Sequence, residues 1–176
     1  FLAVPVSRRH MIAPNDVWLS FSEGADMDTK RAAAAGLIAT GAMTALLMVE
    51  PSIGLPQIAM GETLSSTMTA ISSHTAVGPA GGWLVDFVVG ILFAMFYAAY
   101  LEHRLPGTPF LRGLLFGCVV FVLAQLIFAP LSGNGLFSHG DVEMLVGGLL
   151  GHLVYGGVVG YVYGGAGALP ETASGR

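Results

Sequence analysis

Four polar side chains interrupt the long apolar runs of this sequence: Thr44, Asp86, Gln125 and His152. Thr44, Asp86 and Gln125 lie in the third of their runs that is farthest from the basic residues of the chain, and His152 lies a little deeper. Ionisable groups inside a membrane are functional candidates by default, and histidine titrates near neutral pH. An Asp86–His152 hydrogen bond in this setting suits proton transfer or cation binding. The structural alternative is a polar layer that locks the helices together.

Four apolar runs position these side chains, at roughly 31–48, 81–101, 110–128 and 144–163. Each run has about the 20 residues that an α-helix needs to cross a bilayer. The chain is 54% hydrophobic and only 10% charged, whereas soluble domains carry about 25% charged residues. The sequence therefore predicts an all-α membrane protein with four transmembrane helices, the third of which ends at Pro130.

The basic residues predict the orientation of these helices. All seven fall on one side of the four-run pattern, at Arg8, Arg9, Lys30, Arg31, Arg104, Arg112 and Arg176. The other two connections, roughly 51–80 and 131–143, contain neither Lys nor Arg. Because cytoplasmic loops are enriched in these residues, we expect both termini to be cytoplasmic. Glu50 and Glu143 would then flank an outer mouth, where they would raise the local cation concentration.

The longer outer connection contains a further predicted helix at 56–72, with Pro56 in its first turn. Ile58, Leu64 and Met68 lie near one face of this segment. An amphipathic helix of this kind is expected to lie on the outer membrane surface.

Three segments follow from this pattern. Residues 1–26 lack a sustained apolar stretch, so we expect a disordered or peripheral extension, and whether it belongs to the native protein is left open. Residues 27–168 form the predicted four-helix transmembrane domain. Residues 169–176 form a cytoplasmic tail.

The second and fourth apolar runs resemble each other. When they are superposed, Gly90 falls on Gly156 and Asp86 falls on His152. The first and third runs correspond more weakly, so the chain is interpreted as two tandem helical hairpins. Their pseudo-twofold axis would lie along the membrane normal, as in transporters built from parallel repeats.

Glycines recur every four residues in the fourth run, at Gly156, Gly160 and Gly164. Small residues at this spacing let helices approach closely, either within the chain or between copies of it. The expected partners are the lipid bilayer and either further copies or a larger membrane complex. Nucleic acid is not expected, because no basic face is present.

Enzymatic chemistry has little support in the sequence. Cys118 is the sole cysteine, and no catalytic or phosphate-binding motif is present. We expect no cofactor, because a membrane-bound haem held by two histidines needs more than His152 alone. A metal site is left undecided, with Asp86, His152 and Glu143 as its narrow candidate set. The sequence thus favours a non-enzymatic accessory or structural membrane subunit, with proton or cation transport through Asp86 and His152 as the alternative.

Several short motifs also carry a resemblance to a known group of proteins. They are TALLMVEPSIGLP at 44–56, GE at 61–62, GW at 82–83, AQ at 124–125, AP at 129–130 and GHLVYG at 151–156. Over about residues 30–166, the chain resembles a family of small four-span bacterial integral membrane proteins of unknown function. The resemblance implies a four-helix bundle in the bacterial inner membrane, and it assigns no activity and no functional residue.

Overall fold

The computed structural model describes residues 28–58, 60–72 and 78–165, and these ranges contain helices and turns only. The expectations for residues 1–26 and 169–176 fall outside them. Helix α1 spans Thr29–Val49 and runs into a 3₁₀ turn at Glu50–Ile53. Helix α2, Met60–Ser72, confirms the predicted helix in the long connection. It begins four residues after Pro56, which therefore lies outside it.

The remaining three helices complete the pattern. Helix α3, Pro79–Phe96, continues through a π-helical turn at Tyr97–Leu101. Helix α4 begins as Pro109–Leu123, and helix α5 is Val142–Gly164. Among the described residues, four helical stretches are long and apolar enough to cross a membrane: Thr29–Ile53, Pro79–Leu101, Pro109–Leu131 and Val142–Gly164. They match the four predicted spans to within a few residues at most ends, and they indicate a multi-pass membrane protein.

The helix starts are set by local sequence. The side chains of Asp28, Thr108 and Asp141 accept hydrogen bonds from the backbone N–H groups of Arg31, Leu111 and Met144, at 3.0, 3.3 and 3.1 Å. These bonds satisfy donors that a helix N-terminus leaves free. Pro79 and Pro109 occupy the first turns of α3 and α4, where proline costs no hydrogen bond.

The end of α4 differs from the prediction, because Pro130 does not end it. The helix widens into a π-helical turn at Ala124–Phe128 and then closes with an α-helical turn at Ala129–Leu131. Pro130 therefore lies in the first turn of a restarted helical segment, and a proline is tolerated there.

The four long helices pack in a row that curves into an incomplete ring. Helix α1 packs against both α3 and α5, α5 packs against α4, and α2 lies on α3. Helices α3 and α4 are consecutive in the chain, but their backbones hardly approach each other. The order α3–α1–α5–α4 therefore leaves a gap between the two ends of the row.

Glycines determine the closest helix contacts. A Cβ atom on Gly156 of α5 would lie only 2.7 Å from the Cα atom of Gly117 on α4. Gly160 meets Gly113 in the same way, one turn further along α5. The spacing of glycines in the fourth run is thus used inside the chain, where the α4–α5 contact occupies this face of α5.

The helix ends at 29, 101, 109 and 164 lie together, and Lys30, Arg31, Arg104 and Arg112 lie at or near them. We call this the basic end of the bundle, and the other the opposite end. Arg31 joins α1 to α5 there. Its Nε donates a hydrogen bond to the carbonyl oxygen of Val162 at 3.2 Å, and its guanidinium lies 5.3 Å from the ring centroid of Tyr163.

Candidate functional site

A cavity of about 310 Å³ lies in the gap between α3 and α4. Its walls include Val85, Val89 and Phe93 from α3, and Val120, Ala124 and Phe128 from α4. Two of the α4 residues belong to the π-helical turn at Ala124–Phe128. Turns of this kind are frequent at functional sites, and here the turn forms part of the cavity wall.

Helix α2 covers the cavity from the opposite end of the bundle. Met60, Leu64 and Met68 of α2 contribute to its lining. The helix lies close to α3, because a Cβ atom on Gly82 would lie 2.9 Å from the backbone nitrogen of Ser65. Helix α2 therefore acts as one wall of the cavity.

Asp86 contributes a carboxyl group to the lining of this cavity. It lies seven residues after Pro79 in α3, or about 10 Å along the helix. Its Oδ2 atom is buried and has no hydrogen-bond partner among the described residues. An unpaired buried carboxylate oxygen is costly, so Asp86 is not explained by the packing of the bundle.

His152 contributes an imidazole ring to the same lining. Its Nδ1 lies 2.7 Å from the carbonyl oxygen of Gly148 on the same helix. That contact requires a proton on Nδ1, which makes Nε2 the acceptor of a neutral ring. The ring also packs edge-on against Phe121, with 5.7 Å between centroids. The hydrogen bond that was expected between His152 and Asp86 is not formed at Oδ2 of Asp86.

The other two predicted polar residues do not line the cavity. Thr44 has a buried Oγ1 without a hydrogen-bond partner among the described residues. The Oε1 atom of Gln125 accepts a hydrogen bond from the Ser138 hydroxyl at 3.2 Å. Gln125 thereby links α4 to the connection before α5. Of the four predicted residues, only Asp86 and His152 therefore share the cavity.

Two polar residues of the lining were not singled out from the sequence, namely Thr40 and Tyr155. The Thr40 hydroxyl donates to the carbonyl oxygen of Gly36 at 2.9 Å, and the Tyr155 hydroxyl donates to that of Gly90. The sequence did contain a signal for Tyr155. It is the one tyrosine in the middle of an apolar run, whereas interfacial tyrosines lie at the ends of such runs.

Glu50 and Glu143 do not flank a common mouth. Glu50 was expected there, but it is 0% exposed, and both of its carboxylate oxygens lack a hydrogen-bond partner among the described residues. It fits between α1 and α5 because Gly147 has no side chain, and a Cβ atom there would lie 2.9 Å from Oε2. Glu143 is exposed in the first turn of α5.

The candidate metal ligands Asp86, His152 and Glu143 do not form a metal site. Within residues 28–58, 60–72 and 78–165, no three His, Cys, Asp or Glu side chains are grouped so that they could hold a metal ion. Asp86 and His152 therefore have no third ligand of these types, and Glu143 does not supply one.

An aromatic layer lies between the cavity and the basic end. The ring centroids of Tyr97 and Phe116 are 5.0 Å apart, and those of Phe116 and Tyr155 are 6.2 Å apart. All three side chains are buried. Here α3 and α4 meet through side chains, because Tyr97 follows α3 and Phe116 belongs to α4.

The side of the bundle is more open. Three residues of the lining are also exposed on the surface: Val89 by 40%, Leu123 by 38% and Ile127 by 57%. Val89 belongs to α3, and the other two belong to α4 and its π-helical turn. The cavity therefore opens between α3 and α4, along the flank of the bundle.

Fold and site together define a class of protein: a multi-pass helical bundle with an apolar cavity between two of its four candidate spans. Residues 27–174 match the family DUF6789, which is described as a family of unknown function, and the chain belongs to this family. No curated protein and no solved structure matches the chain.

Proposed function

We propose that this protein is a non-enzymatic accessory protein of the membrane, and that it holds a small, largely apolar molecule in the cavity between α3 and α4. The observation that carries the proposal is the composition of this cavity, in which Asp86 and His152 interrupt a mostly apolar lining. Ligand sites are typically apolar concavities with a few well-placed polar groups.

The route into the cavity supports a ligand that is dissolved in the bilayer. The opening lies between two candidate spans, where it would face acyl chains. The aromatic layer of Tyr97, Phe116 and Tyr155 blocks the path from the basic end. A molecule that enters along the flank would meet apolar side chains first and the polar groups of Asp86 and His152 afterwards.

We place the protein in the bacterial inner membrane, with both termini cytoplasmic and α2 on the outer surface. Support comes from Lys30, Arg31, Arg104 and Arg112, which gather at one end of the bundle, as the positive-inside rule predicts for a cytoplasmic face. The face of α5 that carries Gly156 is occupied by α4. A homo-oligomer or a larger membrane complex would therefore use other surfaces, and native mass spectrometry of the gently extracted protein distinguishes the two.

The proposal is tested by filling the cavity. Ala124→Trp places a large ring in the cavity wall, whereas Val122→Trp lies outside the lining on a side chain that is 42% exposed. The probe is tert-butylbenzene, added to the protein in lipid nanodiscs and followed by calorimetry. We expect the wild type and Val122→Trp to bind it, and Ala124→Trp to lose binding while keeping its helical circular dichroism. Equal binding by all three proteins, or by none, would rule out the cavity as a site for this neutral probe.

Proton or cation transport is the second candidate, because Asp86 and His152 line the same cavity. Transport would require the aromatic layer at Tyr97 and Phe116 to open during the cycle. In proteoliposomes, this candidate predicts a flux that Asp86→Asn and His152→Gln abolish without lowering thermal stability. No flux in the wild type under a proton or cation gradient argues against it.

A further inference from the structure

We infer that the molecule held in the cavity is a lipophilic cation, meaning an ammonium group joined to an apolar body. The inference rests on the proposed function and adds the chemical class of the ligand. Its basis is the juxtaposition of the unpaired Asp86 carboxylate with aromatic and aliphatic side chains in one cavity.

The first step concerns charge. The Oδ2 atom of Asp86 is buried without a hydrogen-bond partner among the described residues. The Lys and Arg residues of these ranges belong to the basic end. The helical stretch that contains Asp86 reaches the basic end at Leu101. Asp86 lies 15 residues before Leu101, or about 22 Å away along the helix axis. A carboxylate that stays ionised when buried needs a countercharge, and none of these side chains reaches it. A cation bound in the cavity would therefore complete the pair.

The second step concerns His152, the nearest candidate for an internal partner. Its Nδ1 is engaged by the carbonyl oxygen of Gly148, at 2.7 Å. Its Nε2 is then an acceptor in the neutral ring, and it does not satisfy an ionised carboxylate, which also only accepts. Asp86 Oδ2 and His152 Nε2 together therefore favour a ligand that brings a donor or a positive charge.

The third step concerns the aromatic rings. Phe93, Phe128 and Tyr155 line the same cavity as Asp86. Cations are attracted to the faces of aromatic rings, and ammonium groups are recognised in this way by aromatic cages. A carboxylate combined with three aromatic side chains is thus better suited to an ammonium group than to a neutral polar group or an anion.

The rest of the lining suits the apolar body of such a ligand. Leu123 and Ile127 lie at the opening, and Met43, Met60 and Met68 add flexible side chains. Methionine adapts its shape to irregular partners. The cavity is therefore expected to accept a class of amphiphilic amines rather than a single compound.

The test uses two probes of the same shape, phenyltrimethylammonium and tert-butylbenzene, which differ in the charged nitrogen. Binding of each to the full chain in nanodiscs is measured for the wild type and for Asp86→Asn. We expect Asp86→Asn to weaken phenyltrimethylammonium binding by about tenfold, which is the equivalent of one modest charge contact. Binding of tert-butylbenzene should change less than about twofold. Glu62→Gln is the matched control, because it removes an exposed carboxylate from α2.

A second variant guards against misfolding of Asp86→Asn. Phe93→Leu removes one aromatic ring and keeps an apolar wall. It should weaken binding of the cationic probe by about threefold and leave binding of the neutral probe unchanged. If tert-butylbenzene binds but the cation does not, or if neither variant separates the two probes, the inference is overturned and the proposed function stands. If neither probe binds to the wild type, the proposed function fails with it.

Discussion

The Tyr155 hydroxyl on α5 donates a hydrogen bond to the backbone carbonyl oxygen of Gly90 on α3. Helix α1 lies between these two helices in the bundle. The bond therefore connects helices that are not neighbours, and both of its residues line the cavity. Thr40 of α1 lies against the same glycine, where a side chain would collide with its hydroxyl. Three helices are thus fixed at one level by residues that also face the candidate site.

Loss of the Tyr155 hydroxyl should lower the stability of the bundle. Tyr155→Phe keeps the ring but removes the hydrogen bond to Gly90, and hydrogen bonds between membrane helices contribute about 1 kcal/mol. We expect a lower free energy of unfolding by that amount, measured by denaturant titration in mixed micelles. Tyr161→Phe is the control, because Tyr161 is 68% exposed. Equal stability of the two variants would show that the bond contributes nothing.

Two glycines in α5 and α1 should respond oppositely to the same substitution. A Cβ atom on Gly156 would lie 2.6 Å from the backbone nitrogen of Gly117, whereas one on Gly41 would have no neighbour within 4 Å. Gly156→Ala should destabilise the bundle by about 3 kcal/mol, since neither backbone can yield easily. Gly41→Ala should stabilise it by up to about 1 kcal/mol through helix propensity. Thermal unfolding of both variants in the same detergent checks this, and a destabilised Gly41→Ala would contradict it.

Arg31 should be more sensitive to a conservative change than its neighbour. Arg31→Lys preserves the positive charge but removes the guanidinium that bonds to Val162 and lies over Tyr163. The expected loss is about 1 kcal/mol, because lysine does not reproduce the planar stacking of arginine. Lys30→Arg, at an exposed position, should leave the unfolding midpoint unchanged. Matching midpoints for both variants would argue that the contact is incidental.

The proposed orientation is accessible to cysteine labelling. In a Cys118→Ser background, single cysteines are placed at two exposed positions, Asn134 and His103, at opposite ends of the bundle. A membrane-impermeant maleimide applied to spheroplasts should label Asn134→Cys at once, and His103→Cys only after the membrane is permeabilised. The reverse pattern would invert the topology, and prompt labelling of both would contradict a membrane-embedded bundle.

The sequence predicted the helices much better than it predicted the site. The four spans follow from hydrophobic length alone, which is a property of each segment by itself. The third helix was predicted to end at Pro130, whereas it continues to Leu131, and the π-helical turn at Ala124–Phe128 was not predicted. Glu50 was placed at an outer mouth by its position near the end of a run. Its burial depends on Gly147, which comes from a different helix.

The same limit explains the polar residues. Counting along each run gives the depth of a side chain, but not the neighbour that it meets. Asp86 and His152 do share a cavity, whereas Thr44 lies one helical turn beyond the lining residue Thr40. Tyr155 was not singled out, because the carbonyl group that it contacts belongs to Gly90 of a different helix. The order of helices α3–α1–α5–α4 determines which side chains contact each other. This order is seen only in the tertiary contacts.

The separation of α3 from α4 has a consequence for how binding should be measured. A molecule that enters between two spans must first dissolve in the bilayer, so partitioning concentrates it before any contact with Asp86. Its apparent affinity in aqueous units would then change with the amount of lipid in the sample, even though the protein is unchanged. For such a site, occupancy follows the mole fraction of ligand in the membrane, and the lipid-to-protein ratio becomes part of the binding constant.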